Sequence, residues 1–304
     1  MSSFGYLSQE YAESFAYIGT PRYLPACGGW IVERQIPGTS ELDAMGCYPL
    51  FLCRDWSKLP DDLSAVKSKF VSLSLVTDPF GKYDREQLEQ VFPDCFFPFK
   101  QHFIIDLKDS PLSNISKHHQ RNAKKALKLL TIEQCQNPKK YLYDWINLYQ
   151  QLIKKHDISG ITTFSEKSFN KQFEVPGIVV FRALFKGTLV GMLIWYVHED
   201  RAYYHLGAYN DLGYEFMASF GLFWHSIEYF QNRVSWLGLG SGAGLKGNGT
   251  DGLTRFKSGW STQNKPAYFC GKILNLNLYN KLTKEKNTQP TNYFPAYRNS
   301  GIMI

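Results

Sequence analysis

The chain has 304 residues, 44% of them hydrophobic and 16% aromatic, with a net charge of +7. That is enough apolar material for two ordinary domains or one large one, and it excludes a disordered chain. No apolar run reaches the ~18 residues that a bilayer span needs, and the opening MSSFGYLSQEYAESF lacks the basic and apolar regions of a secretory signal. Cys27, Cys47, Cys53, Cys95, Cys135 and Cys270 form no C-x-x-C pair. Neither a zinc ribbon nor a redox dithiol is expected, and reduced thiols in a cytoplasmic protein are. The positive charge is local: Lys117, Arg121, Lys124, Lys125 and Lys128 fall in one stretch without an acid, joined by His118 and His119. The remainder is near balance, which argues against a general nucleic-acid coat.

In chain order, residues 9 to 17 read as a short helix, and Gly29 to Gln35 as a strand. Tyr48 to Arg54 reads as a second strand, and a helix begins between Trp56 and Ala65. Phe70 to Val76 is a third strand, stopped by Asp78-Pro79-Phe80-Gly81. Asp84 is the expected N-cap of a helix to Val91, and Phe103 to Leu107 is a strand. Helices are expected from Ser113, as N-cap, to Leu130, from Tyr141 to His156 and from Ser165 to Gln172. The second has an apolar stripe at helical spacing: Leu142, Trp145, Ile146, Tyr149, Leu152 and Ile153. Strands follow at Ile178 to Phe185, Leu189 to Val197 and Arg201 to Ala208, the last two bounded by turn residues. From Tyr214 to Phe230 the period changes from two to about 3.6, with Phe216, Phe220, Phe223, Trp224, Ile227 and Phe230 on one face. Ser235 to Leu239 and Pro266 to Leu276 are the last strands. Residues 283 to 304 are polar and are expected to form a loosely held tail.

Four features carry possible chemistry. Gly242-x-Gly244-x-x-Gly247 matches a dinucleotide fingerprint by letter, but too little chain follows to build a βαβ unit around it. The stretch Gly238 to Gly252 is either a loop needing positive φ or one that closes over a substrate. Arg255-Phe256-Lys257-Ser258-Gly259-Trp260 places a lysine able to neutralise developing negative charge, or a solvated lysine beside core aromatics. Lys117, Arg121, Lys124 and Lys128 lie three or four apart and share a helix face. That face suits phosphates of a cofactor, of an acceptor or of RNA, or is simply a charged surface. His205, with Tyr203 and Gly207 on its side of the strand and Tyr204, Leu206 and Ala208 on the other, is a candidate general base or a hydrogen-bonded core group. Asp251 is a further acid of interest, Asp211 and Glu215 suit a helix start, and His225 reads as structural. No metal-ligand spacing appears.

Two stretches carry a resemblance. Ser113-Asn-Ile-Ser-Lys-His-His-Gln-Arg-Asn-Ala-Lys-Lys-Ala is similar to the basic helix of Fem-type peptidoglycan aminoacyltransferases and their FemAB-like relatives in the GNAT superfamily. Gly238-Leu-Gly-Ser-Gly, followed by Gly252-Leu-Thr-Arg-Phe-Lys-Ser-Gly-Trp, resembles that family's closing pattern. The likeness covers roughly residues 110 to 275. It implies an α/β (α+β) protein of two GNAT-like domains, each a mixed, mostly antiparallel sheet flanked by helices. The expected bounds are 1–112 and 113–282, with a tail at 283–304. It implies acyl transfer to an amine acceptor (an amino sugar, amino acid or cell-envelope precursor) from a small-molecule donor such as acyl-CoA, with no permanently bound cofactor. Aminoacyl-tRNA is the alternative donor, and a catalytically inactive binding module the alternative class. Asn210 to Phe216 departs from the Q/R-x-x-G-x-G/A loop of GNAT enzymes that use acyl-CoA. By this likeness Lys257 neutralises charge at the reaction centre; His205 and Asp251 are further catalytic candidates on their own chemistry. Candidate binding residues are Lys117, Arg121, Lys124, Tyr203, Gly207, Ala208, Gly240, Gly242 and Phe256.

Overall fold

A computed structural model describes residues 5–108, 111–243, 251–286 and 293–299. Its elements are, in order, α1 (Gln9–Glu13), β1 (Thr20–Leu24), β2 (Gly29–Gln35), β3 (Leu42–Gly46), α2 (Leu59–Ala65), β4 (Ser72–Val76), α3 (Arg85–Val91), β5 (Cys95–Asp106), α4 (Pro111–Asn114), α5 (Lys117–Leu129) and β6 (Thr131–Gln134). There follow α6 (Leu142–His156), α7 (Glu166–Gln172), β7 (Ile178–Phe185), β8 (Thr188–His198), β9 (Arg201–Tyr209), α8 (Asp211–Glu215), α9 (Ala218–Phe230), β10 (Trp236–Gly240), α10 (Gly252–Ser258), β11 (Gln263–Ile273) and α11 (Leu276–Glu285). No helix among the described residues is long and apolar enough to cross a membrane.

The chain divides into two compact units, and neither is contiguous. One comprises residues 1–8 and 101–265, the other residues 9–100 and 266–304. The expected bounds at 112 and 282 differ, because the chain changes unit inside two strands, β5 and β11. β11 belongs with the N-terminal strands, since Phe269 to Ile273 pair antiparallel with Val76 to Ser72 of β4.

Each unit has the expected mixed, mostly antiparallel sheet, and the two share a pattern. In residues 9–100 and 266–304 the order is β1-β2-β3-β4-β11, and β3–β4 is the parallel pair. In the other unit the order is β5-β10-β9-β8-β7-β6, and β9–β10 is the parallel pair. In both, a three-strand meander leads through a helix into a strand parallel to the third. That crossover is what a parallel neighbour requires, because a hairpin cannot supply one.

In the second of these sheets one face buries Trp195, Ala202, Phe223, Ile227, Leu237 and Trp260 beneath α5 and α9. The opposite face packs on α6 and α7, with Tyr196 donating to the Gln172 carbonyl. Two-sided cover explains why Leu189 to Val197 is apolar without alternation.

Several expectations change. Tyr48 to Arg54 is not a strand; its only pairing is an isolated bridge from Phe51 to Thr77, and Pro49 cannot donate to a ladder. The basic helix begins at Lys117, not Ser113, with Ser116 as its N-cap. The helix expected over Tyr214 to Phe230 is two, broken at Met217, whose φ of 57° ends the first. The tail is held where it is described. Tyr297 is 1% exposed and bonds Ser72 and Asp43, while Arg298 pairs with Asp43. Asp84 and Ser165 cap their helices as the sequence indicates.

Candidate active site

The parallel pair β9–β10 starts together, since Ser235 and Trp236 both donate to the Asp200 carbonyl. Their register runs from Trp236↔Arg201 to Gly238↔Tyr203 and stops there, although β9 continues to Tyr209. Both strands are irregular at that level. β9 has an extra residue, His205, where Leu206 pairs with Ile194 and Tyr204 with Trp195. β10 shifts against β5 between Gly238 and Gly240. Bulges bend a strand and raise its twist, so the two strands part beyond the bulges.

Lys257 sits at this opening. It is 6% exposed, and its Nζ donates to the Ser241 carbonyl at 2.7 Å and lies 5.4 Å from the centre of the Tyr204 ring. Among the described residues it is the only buried lysine or arginine. Burial pulls its ammonium down to about 7, opposed by the charge of Asp251. The carbonyl, the ring face and the nearby carboxylate all favour the cation and so oppose the effect of burial.

The neighbouring glycines build this seat. Gly240 has φ of 75°, and a Cβ there would lie 3.1 Å from Lys257 Nζ. At Gly242 a Cβ would fall 2.0 Å from Thr254 Oγ1. These two glycines are therefore packing requirements of the lysine and its helix. Asp251 is the N-cap of α10: its carboxylate accepts from Thr254 N at 2.9 Å and Thr254 Oγ1 at 2.6 Å, which holds it below the usual carboxylate range. Gly244 and Gly247 lie outside the described residues.

Phe256 belongs to a wall of Phe220, Phe223 and Trp260. His119 of α5 joins this wall and ties α5 to α10. Its Nε2 donates to the Phe256 carbonyl at 2.8 Å, and its Nδ1 accepts from Ser116 Oγ at 2.7 Å. Burial lowers its basicity, so it does not extend the positive patch as expected.

His205 is elsewhere. It lies on the α6 face of the sheet, accepting from Tyr6 O–H at 3.1 Å and donating to Gln172 Oε1 at 3.0 Å, and burial holds its pKa down to about 3. Both ring nitrogens are engaged and Lys257 lies on the other face, so the general-base reading is set aside. Tyr203 keeps His205 company, packing on Tyr6. The bulge reverses the alternation assumed from the sequence. Gly207 lies on the Tyr204 side, where a Cβ would meet the hydroxyls of Tyr204 and Tyr209 at 2.8 Å each. Ala208, one step on, points the other way. The sequence reading missed Tyr204 and Ser241. Their signal was available only once the bulge and the end of β10 were known.

Lys117, Arg121 and Lys124 line a shallow groove of about 400 Å³ with Gln120, Lys125 and Lys128, all on the exposed face of α5. They do not meet the Lys257 seat through any described hydrogen bond or ion pair.

Comparison with family models and with curated proteins finds no match for the sequence. Solved structures do match the fold. A structure titled FemX aligns over 90% of this chain and 93% of its own at a TM-score of 0.68 and 13% identity. The DUF2156 C-terminal domain of a putative lysylphosphatidylglycerol synthetase from Agrobacterium fabrum aligns over 86% and 87%, at 0.59 and 13%. L-PGS from Bacillus licheniformis aligns over 89% and 94%, at 0.53 and 14%. The chain therefore shares its fold with FemX and with these two lysylphosphatidylglycerol synthetase structures over most of its length.

Proposed function

We propose that this chain is an N-acyltransferase, moving an acyl or aminoacyl group from an activated donor to an amine acceptor at the Lys257 seat. The observation that carries this reading is a buried lysine, Lys257, at the point where two parallel strands part. An amine attacks the donor carbonyl, a C–N bond forms, and the C–S or C–O bond to the leaving group breaks. The proton leaves the amine and ends on the departing thiolate or alkoxide. Between these events the carbonyl oxygen is an oxyanion. Lys257 neutralises it, and backbone N–H groups of the parted strands are suited to donate to it. Orientation of donor and acceptor supplies the rest, without a dedicated general base.

The donor we favour is an acyl-CoA-type thioester, with an amino sugar, amino acid or cell-envelope precursor as acceptor. Aminoacyl-tRNA is the second reading, supported by the FemX-like fold extending through both units. The test is thermal stability against CoA, acetyl-CoA, longer acyl-CoAs and bulk aminoacyl-tRNA. A ligand at ~100 times its dissociation constant adds about 2.7 kcal/mol. A shift with an acyl-CoA supports the first donor, and one with aminoacyl-tRNA alone supports the second. No shift with any of them leaves a binding module without transfer activity as the reading.

A further inference from the structure

Helix α5 has three zones. His119, Asn122, Ala123 and Ala126 are buried, spaced at i, i+3, i+4 and i+7. Lys117, Arg121, Lys124 and Lys128 are spaced along the opposite side as an exposed cationic crest. None of them, nor Lys125, makes an ion pair with another described residue, as Lys139, Lys155, Arg182 and Arg201 do. The last turn also exposes two leucines, Leu127 at 38% and Leu129 at 52%. By helical spacing they flank the crest on either side.

Beside Leu129 lies a slot of about 290 Å³, lined by Lys125, Lys128, Leu129, Glu215, Phe216 and Met217. Its wall is apolar where Leu129 faces the α8–α9 break, and two lysines stand over it against one glutamate. The volume is at the lower bound of small-molecule sites (~300 Å³), enough for part of an apolar chain.

A cationic ridge next to an exposed apolar slot matches the two halves of an anionic amphiphile. We infer that α5 docks this protein on anionic phospholipid, with phosphate on Lys125 and Lys128 and one acyl chain along Leu129, Phe216 and Met217. Nucleic acid fits less well. It would use the crest but leave the leucines and the slot idle, and Lys117–Leu129 contains no Phe, Tyr or Trp on which bases stack. A basic helix with exposed apolar residues is also the ordinary pattern of membrane-surface binding. This inference does not depend on transfer activity.

The experiment is co-sedimentation of the full chain with phosphatidylcholine vesicles, with and without 30% phosphatidylglycerol. Bulk tRNA and inorganic phosphate serve as competing arms. The expected result is binding to the anionic vesicles only, weakened at raised salt. K125Q/K128Q is expected to weaken it by at least tenfold, each charge being worth about fivefold near the surface. Leu129→Ser is expected to weaken it several-fold at unchanged charge. Both variants alter exposed side chains, and unchanged thermal melting shows that they fold. Lys257→Met is expected to bind vesicles like the parent, which separates this site from the reaction. Retention by tRNA but not by vesicles, or vesicle binding that Leu129→Ser leaves untouched, overturns the proposal. So does displacement by millimolar inorganic phosphate alone, which would make the crest a phosphate site without a lipid chain.

Discussion

The ring of His119 lies against the backbone of Gly259: a Cβ at position 259 would stand 2.0 Å from His119 Cε1. Ser116 N also donates to the Gly259 carbonyl at 3.0 Å. The start of α5 and the end of α10 are therefore one joint, and the lysine helix is held from outside its own sequence. Gly259→Ala should cost about 1–3 kcal/mol through overpacking and should lower turnover as α10 moves. Denaturant unfolding and a rate measurement check both. Full stability in Gly259→Ala would mean that the joint is not tight.

Lys257→Met should reduce turnover by tenfold or more while the protein still folds. Burial lowers the folded pKa of Lys257 to about 7, below its ordinary 10.5. Below pH 7 both folded and unfolded chains carry the charge, and the cost of burying it is felt in full. Between 7 and 10.5 only the unfolded chain keeps the proton, so this group's contribution to stability rises with pH. Lys257→Met should therefore gain most, relative to the parent, below pH 7. A charge-neutralising lysine also predicts that kcat/KM falls as pH rises through the neutral range. A rise instead would assign Lys257 to proton abstraction.

His205→Gln should leave the rate and its pH profile within about twofold, because His205 faces α6 and not the lysine. Its effect is on acid stability. With a folded pKa of about 3 against an ordinary 6.5, the unfolded chain binds the extra proton between these values. Stability is thus lost as pH falls from 6.5 towards 3. Urea titrations at pH 7 and pH 4.5 should show a shallower loss in the variant. A tenfold fall in rate at pH 7 without unfolding would restore His205 to the mechanism.

Asp43 is fully buried between Arg34 and Arg298, and Tyr297 donates to it at 3.1 Å. Removing one partner strands a buried charge, which costs roughly 3–5 kcal/mol in comparable pairs. Part of that is recovered here because Arg34 remains. Arg298→Ala should therefore destabilise by about 2–3 kcal/mol and loosen α11 with it. Hydrogen exchange over Leu276–Glu285 would show this, and unchanged protection there would separate the helix from the clamp.

What the sequence disclosed follows the range of the forces involved. The meander from Ile178 to Tyr209 could be read closely because its turns are local and its burial pattern is written in adjacent residues. Lys257 stood out because its motif, Arg255 to Trp260, is written in adjacent residues. The face that Gly207 occupies was misread because one bulged residue reverses the alternation, and no local pattern marks the bulge. Asp251 was seen as an acid and not as the cap it is, although Asp251-x-x-Thr254 is a capping arrangement. His119 was counted as charge, since its partners, Phe256 and Gly259, lie far along the chain. The held tail at Tyr297 and Arg298 was invisible for the same reason: its acceptors are Ser72 and Asp43.

The passage of the chain through β5 and β11 also sets an order of assembly. β4 is made well before its neighbour β11, which follows nearly all of residues 101–265. At about 5–20 residues per second, that edge waits ten seconds or more on the ribosome. Until then Ser72 to Val76, which carries Leu73, Leu75 and Val76, lacks the partner it has on that side in the folded chain. The sheet begun first is thus the one completed last, its edge at β4 closed only when the chain beyond the other unit's sheet has been made.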